Sequence, residues 1–224
     1  MSKPRRNKDK TFYFADYPDF NPNLSPSEIF KLGSFGGTYW RPIYSRITNK
    51  NYKDQHKKYP KSWWQGLTNK ELTQSWEDYD VSINKYGKKV GTTLQFWEDK
   101  GWIHPSQPYG WIQWYCDFFI GERGEDDRRQ IDRWKALAGE NGRFRKWLVT
   151  QIQKKQGTYD DEKISPAIRQ TLQHWGYVLT KSDFNKELKV RTKKNTEKKR
   201  EKNTEKKREK NTEKKRKTRK SPKK

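Results

Sequence analysis

The stretch from Gly101 to Ile152 holds five of the chain's eleven tryptophans and alternates apolar runs with arginine-rich ones. It constrains the fold more than any other part of the sequence, because rings of that size need helices that bury them on one side. Trp111, Trp114, Tyr115, Phe118 and Phe119 recur at helical spacing, with Ile112 and Cys116 beside them. An arc that wide touches several neighbours at once, which predicts a central core helix over about Pro108 to Gly121.

Two more helices are expected after it. Over Asp127–Ala138, residues Ile131, Trp134, Leu137 and Ala138 fall on one side, while Arg128, Arg129, Asp132, Arg133 and Lys135 lie away from it. Gly139-Glu140-Asn141-Gly142 stops one helix and starts the next, since Gly and Asn tolerate positive φ at a helix end. Over Gly142–Lys155, Phe144, Leu148 and Ile152 form the apolar face, Arg143, Lys146 and Lys154 align opposite, and Trp147 sits at the border. The hairpin is compatible with a helix-turn-helix. Arg128, Arg129, Arg133, Arg143, Arg145 and Lys146 are therefore candidate phosphate contacts, with Trp147 a candidate stacking residue. The competing reading is a packing hairpin whose cations are solvated or paired with Glu125, Asp126 and Asp132.

The formal charge of +24 is unevenly spread. Residues 191–224 carry 19 Lys/Arg against 5 Glu, and residues 1–10 carry 5 basic residues against 1 acidic, leaving about +6 for the middle. Basic ends of this kind favour a polyanion, nucleic acid first and an anionic membrane surface second. Cys116 is the only cysteine, so an intramolecular disulfide is excluded, and its place in the aromatic helix predicts a buried inert thiol. The basic start is not followed by an apolar segment, and no run approaches membrane-spanning length, so neither secretion nor a membrane span is expected.

Along the rest of the chain, residues 1–10 read as a solvated basic arm, and Thr11–Phe20 and residues 38–47 as extended aromatic segments. Ser25-Pro26-Ser27-Glu28 is a capping box that opens a short helix ending near Leu32. Gly33 to Thr38 forms a glycine-rich loop without the Lys-Ser/Thr ending of a phosphate loop, and a structural role is expected for it. Short helical pieces are expected at Lys61–Leu67, Asn69–Trp76 and Thr92–Lys100, and a longer helix from Pro166 to about Tyr177. Thr180–Phe184 adds a turn or short helix. No strand-turn-strand pattern recurs. The fold class expected is mostly α: a compact aromatic-rich domain over 11–184, with extended N-terminal segments and a basic tail over 185–224.

The tail contains an eight-residue repeat over 195–218, Asn-Thr-Glu-Lys-Lys-Arg-Glu-Lys twice and then Asn-Thr-Glu-Lys-Lys-Arg-Lys-Thr. It has no apolar face to stack, so a solvated arm with transient helix is expected. Lys198, Lys199, Arg200, Lys206, Lys207, Arg208, Lys214, Lys215, Arg216, Lys223 and Lys224 are its candidate phosphate contacts.

Catalytic signatures are lacking. His56, His104 and His174 are far apart in sequence and none neighbours the cysteine, so no zinc spacing exists, and no hydrolase, kinase or deaminase motif occurs. No catalytic residue, metal ligand or cofactor is assigned. Acidic clusters at Glu125-Asp126-Asp127 and Asp160-Asp161-Glu162 leave open a metal site built from separate elements.

The strings YPDFNPNLSPSEIFKLGSFGGTYWRPI, INKYGKKVGTTLQFWEDKGWI, YGWIQWYCDFF, RQIDRWKALAGENGRFRKWL and SPAIRQTLQHWGY resemble a conserved, functionally unassigned protein family of giant DNA viruses, algae, plants and fungi. The resemblance spans about residues 12–184 and implies a compact shared domain but no activity; the tail departs from it. Ser221-Pro222-Lys223-Lys224 is similar to the SPKK elements of linker-histone tails, which implies minor-groove contact with AT-rich DNA. Lys214-Lys215-Arg216-Lys217 is similar to a nuclear import signal.

These readings converge on a non-enzymatic nucleic-acid-binding protein, DNA ahead of RNA, with largely sequence-independent tail contacts. An enzyme acting on nucleic acid and a virion protein that neutralises DNA are the alternatives. The expected setting is inside the host cell, in the nucleus or a viral factory, or in the virion.

Overall fold

The computed structural model describes the backbone of residues 4–219 and the side chains of residues 4–205 other than Lys199. The tail contacts expected at Lys199, Lys206, Lys207, Arg208, Lys214, Lys215, Arg216, Lys223 and Lys224 lie outside the described side chains. The chain divides into two units, Met1–Thr180 and Lys181–Lys224. It is mostly α, with 47% helix and 6% strand.

The first unit is assembled around the aromatic helix α4 (Trp111–Phe119), in which every residue from Ile112 to Phe118 is buried. Two of those residues are polar, and both are partnered. The Gln113 side chain accepts from the Tyr109 amide at 2.9 Å, and Asp117 accepts from the Tyr59 hydroxyl at 2.8 Å and the Lys58 ammonium at 2.9 Å. Tyr115 donates its hydroxyl to the Leu24 carbonyl at 2.7 Å, and the Trp114 indole donates to Asp127 at 2.8 Å. Large rings therefore enter the core without leaving these polar tips unpaired, which avoids a penalty of about 1–3 kcal/mol each. Phe20 lies edge-on to Tyr115, Phe118 and Trp134, joining the N-terminal segment to the helices.

Around α4 stand α1 (Pro26–Lys31), α2 (Asn69–Leu72), α3 (Leu94–Asp99), α5 (Asp127–Leu137), α6 (Arg143–Lys154) and α7 (Pro166–His174). The capping box at Ser25 and Glu28 is formed as expected, and a second joins Thr68 to Glu71. In α5 the inward residues are Ile131, Trp134 and Leu137, joined by Gln130 and Asp127. In α6 they are Leu148, Val149 and Ile152, together with Arg145. Phe144, expected on that inner face, is only half-buried. The helix expected over Asn69–Trp76 stops at Leu72, whose carbonyl accepts from the Trp40 amide at 2.9 Å.

Three expectations are corrected. First, residues 1–10 are not wholly a solvated arm. Strand β1 (Arg5–Arg6) pairs antiparallel with β2 (Phe12–Tyr13), and Arg6 bonds Glu28 at 2.7 Å while its guanidinium lies over Phe12. Second, a hairpin the sequence pattern did not reveal joins β3 (Ile43–Ser45) to β4 (Lys50–Tyr52), with Asn49 at φ 55° in its turn. Strands of three residues are too short for a period-two signal to register. Third, the turn or short helix expected over Thr180–Phe184 belongs to a longer helix of the second unit, α8 (Lys181–Arg219), along the tail for which transient helix was expected. Glu, Lys and Arg are strong helix formers, and neither Gly nor Pro interrupts this span. Glu187 pairs with Arg191 at 2.7 Å, and the Thr192, Thr196 and Thr204 hydroxyls bond back to carbonyls one turn earlier.

The glycine-rich loop is structural. A Cβ at Gly33 would collide with the Ile83 carbonyl and one at Gly37 with the Lys70 carbonyl, both at positive φ. The Gly36 amide donates to Asn84 at 2.7 Å, so this amide is engaged within the protein.

Candidate functional site

The hairpin cations prove to be of three kinds. Arg128 and Arg129 are engaged in ion pairs: Arg128 with Asp19 at 3.0 Å and Asp132 at 2.8 Å, Arg129 with Asp126 at 2.5 Å. Asp19 also takes Lys135 at 2.7 Å, and these bonds hold its carboxyl below the usual carboxylate range. Arg145 is buried at 7% exposure with its guanidinium 5.1 Å from the Tyr177 ring, so its assignment as a phosphate contact is corrected. It lies on the α6 face that also holds Leu148, Val149 and Ile152, which a strict apolar pattern does not mark. Lys146 bonds Asn141 at 2.8 Å, and Trp147 is 54% exposed.

Arg133 and Arg143 form the third kind. Both line a cleft of about 500 Å³ in the first unit, together with Arg41. The walls come from the loop Phe35–Ile43, from Trp76 and Tyr79, from the segment around α3 and the start of α4, and from the ends of α5 and α7. The Arg133 guanidinium lies between two indoles, 5.7 Å from the Trp102 ring and 5.4 Å from the Trp175 ring. Arg41 lies over Trp76 at 5.2 Å, and Arg143 over Phe144 at 5.0 Å. Trp111 stacks on Trp175 at 4.5 Å and extends the aromatic wall.

Among the described residues, none of these three arginines has a carboxylate at ion-pair distance, and no Asp or Glu lines the cleft. Arg133 donates to the Gln130 side chain at 2.9 Å and Arg41 to the Thr38 carbonyl at 3.0 Å, one bond each from groups with five N–H donors. Desolvation lowers the Arg133 pKa to about 10, with the neighbouring Arg129 charge adding to the effect and Asp126 opposing it. Burial lowers Arg41 as well. A part-buried cation without a counter-charge is unfavourable in the free protein and favourable once an anion arrives.

His174 completes the floor. Its ring stacks on Phe35 at 3.8 Å, and its Nε2 lies 3.1 Å from the Phe35 amide and 3.0 Å from the Gln170 side-chain nitrogen. Gln170 turns its oxygen to the Tyr86 amide at 2.9 Å, so its nitrogen faces the histidine. Two donors converge on Nε2, which places the ring proton on Nδ1, and burial lowers the pKa to about 3.

In the acidic clusters Asp126 and Asp127 are engaged within the fold, and Glu162 pairs with Lys85 at 3.1 Å. Asp126 accepts from Arg129 and Gln130, while Asp127 accepts from the Trp114 indole and the Gly124 amide. Among the described residues no group of three or more His, Cys, Asp and Glu side chains forms a metal-ligand set. No helix among them is long and apolar enough to cross a membrane. The buried Cys116 thiol is raised well above its ordinary pKa by desolvation.

Sequence reading did not find the cleft. Its walls join residues far apart in the chain, which no local pattern marks. No protein-family model, no curated protein sequence and no solved structure matches the chain.

Proposed function

We propose that this protein binds nucleic acid, DNA ahead of RNA, by electrostatic contacts largely independent of sequence, and that it is not an enzyme. The observation that carries the reading is the charge of the second unit, most of it on α8: residues 181–224 hold 22 Lys/Arg against 7 Asp/Glu, 19 of those cations within Lys181–Arg219, leaving about +9 of the +24 for the first unit. On a helix of 3.6 residues per turn an eight-residue repeat advances by about 80°, so equivalent positions rotate around the axis. Charge distributed in this way suits a phosphate backbone approached from any side and gives no single base-reading face. Arg128 and Arg129 play a smaller part than their sequence spacing suggests, because each is already paired. The reading places the protein where nucleic acid is packaged or copied, in the nucleus or viral factory of a host cell or in the virion.

The test is fluorescence anisotropy on labelled duplex DNA across about 50–200 mM salt. Changing Lys198, Lys199 and Arg200 to Gln in the full chain removes three cations, and each phosphate contact contributes about 0.9 to the slope of log affinity on log salt. The expected result is a slope shallower by about 2–3. A slope equal to the parent's refutes the role given to the helix.

A further inference from the structure

We infer that the aromatic cleft of the first unit is a binding site for one nucleotide unit, a flat heteroaromatic ring carrying a phosphate. The inference goes beyond the polyanion reading and does not depend on α8. Three features converge on it. The cleft, at about 500 Å³, lies within the range of about 300–1,000 Å³ usual for small-molecule sites. Arg133, Arg41 and Arg143 line it, and among the described residues none of them has a carboxylate at ion-pair distance and no acidic residue lines the cleft, so the partner that suits them is an anion. A guanidinium presents paired N–H donors that match two phosphate oxygens at once.

The walls specify the rest of the ligand. Trp102 is 42% exposed, and Trp175 and Trp111 stack beside the Arg133 position. An indole exposed next to cations, as Trp102 is, suits a planar ring that stacks while its phosphate meets the arginines. A neutral sugar also stacks on indoles, but its hydroxyls need acceptors as well as donors, and no carboxylate lines the cleft. Tyr39 and Tyr109 are already committed, their hydroxyls donating to the Tyr109 and Arg41 carbonyls at 2.6 and 2.7 Å. The nucleotide has two sources with the same chemistry, a free mononucleotide or an unstacked position of a single strand.

The experiment uses the full chain at a salt concentration that suppresses the polycation, with binding followed by tryptophan quenching and by calorimetry. Adenosine monophosphate, adenosine, inorganic phosphate and a short single-stranded oligonucleotide are titrated in parallel. The monophosphate is expected to saturate and to bind at least tenfold more tightly than adenosine or phosphate alone. Arg133→Met and Trp102→Leu are each expected to weaken it tenfold or more, whereas Lys57→Gln, exposed and outside the cleft, leaves it unchanged. Circular dichroism checks each fold, and Arg143→Gln at the exposed rim keeps the test open should a core variant unfold. An oligonucleotide that binds tighter than the monophosphate and competes with it identifies the strand as the source; the reverse order identifies the free nucleotide. Duplex DNA affinity measured alongside reports α8, so either reading can fail without the other. No saturation below about 5 mM, a Kd range equivalent to only about 3 kcal/mol of binding, overturns the proposal. Parental affinity in both Arg133→Met and Trp102→Leu overturns it as well.

Discussion

Replacing Arg133 by Met separates a guanidinium kept for a ligand from one kept for the fold. The lowering of its pKa from 12.5 to about 10 corresponds to about 3 kcal/mol of unfavourable desolvation and repulsion. Because the group keeps a solvent-facing side, screening reduces this to about 1–2 kcal/mol. The two indole contacts return about 0.5–1 kcal/mol each, and a methionine sulfur between the same rings restores about 0.3–1.5 kcal/mol of that. The bond to Gln130 is between polar groups with access to water, so its loss costs about 0.5–1 kcal/mol. The terms nearly cancel, leaving a change of less than about 2 kcal/mol in either direction, or less than about 4–8 °C in Tm for a chain of this size. Urea denaturation followed by tryptophan fluorescence measures it. A structural guanidinium with a compensating partner would lose about 3–5 kcal/mol on the same change. A loss of that size would refute the reasoning, since Arg133 would then be holding the fold together.

Three other outcomes are expected. Asp117→Ala removes the acceptor of the buried Tyr59 hydroxyl, while the half-exposed Lys58 keeps Glu122, and should destabilise the protein by about 1–3 kcal/mol, read as the urea midpoint; a loss under about 0.5 kcal/mol would show the cluster to be dispensable. His174, with its pKa lowered from 6.5 to about 3, stays neutral in the fold while the unfolded chain takes up a proton, so stability is full above about pH 6.5 and falls as pH drops towards 3. Between about pH 7 and 5 the parent should lose about 2 kcal/mol more than His174→Gln, and parallel urea midpoints would contradict the burial. Truncation after Val190 removes only residues without apolar side chains, so Tm should move by less than about 2 °C while the salt dependence of DNA binding flattens; a fall of several degrees would assign the tail a structural role.

Local chemistry was sufficient for α1 and for α3 to α7, whereas the pieces expected over Lys61–Leu67 and Asn69–Trp76 shorten to Lys61–Trp63 and Asn69–Leu72. The Ser25–Glu28 capping box, the aromatic arc of α4 and the Gly139–Gly142 break each act within a few residues, so their outcome is written in neighbouring positions. Where longer-range pairing decides, the sequence was silent or misleading. Arg128, Arg129, Arg133, Arg143 and Arg145 look alike along α5 and α6, yet Asp19 and Asp126 engage the first two and Tyr177 covers the last. The β3–β4 hairpin carries too few residues for a period to appear. The cleft depends on rings brought together from the Phe35–Ile43 loop, the chain around α3, α5 and α7. A charge is free or neutralised according to what lies within about 4 Å of it, and for a folded chain that neighbour is set by packing between distant segments. Sequence alone therefore determined the main helices of the first unit and how strongly the tail is charged, and tertiary structure decided the short strands and which cations lack an ion-pair partner.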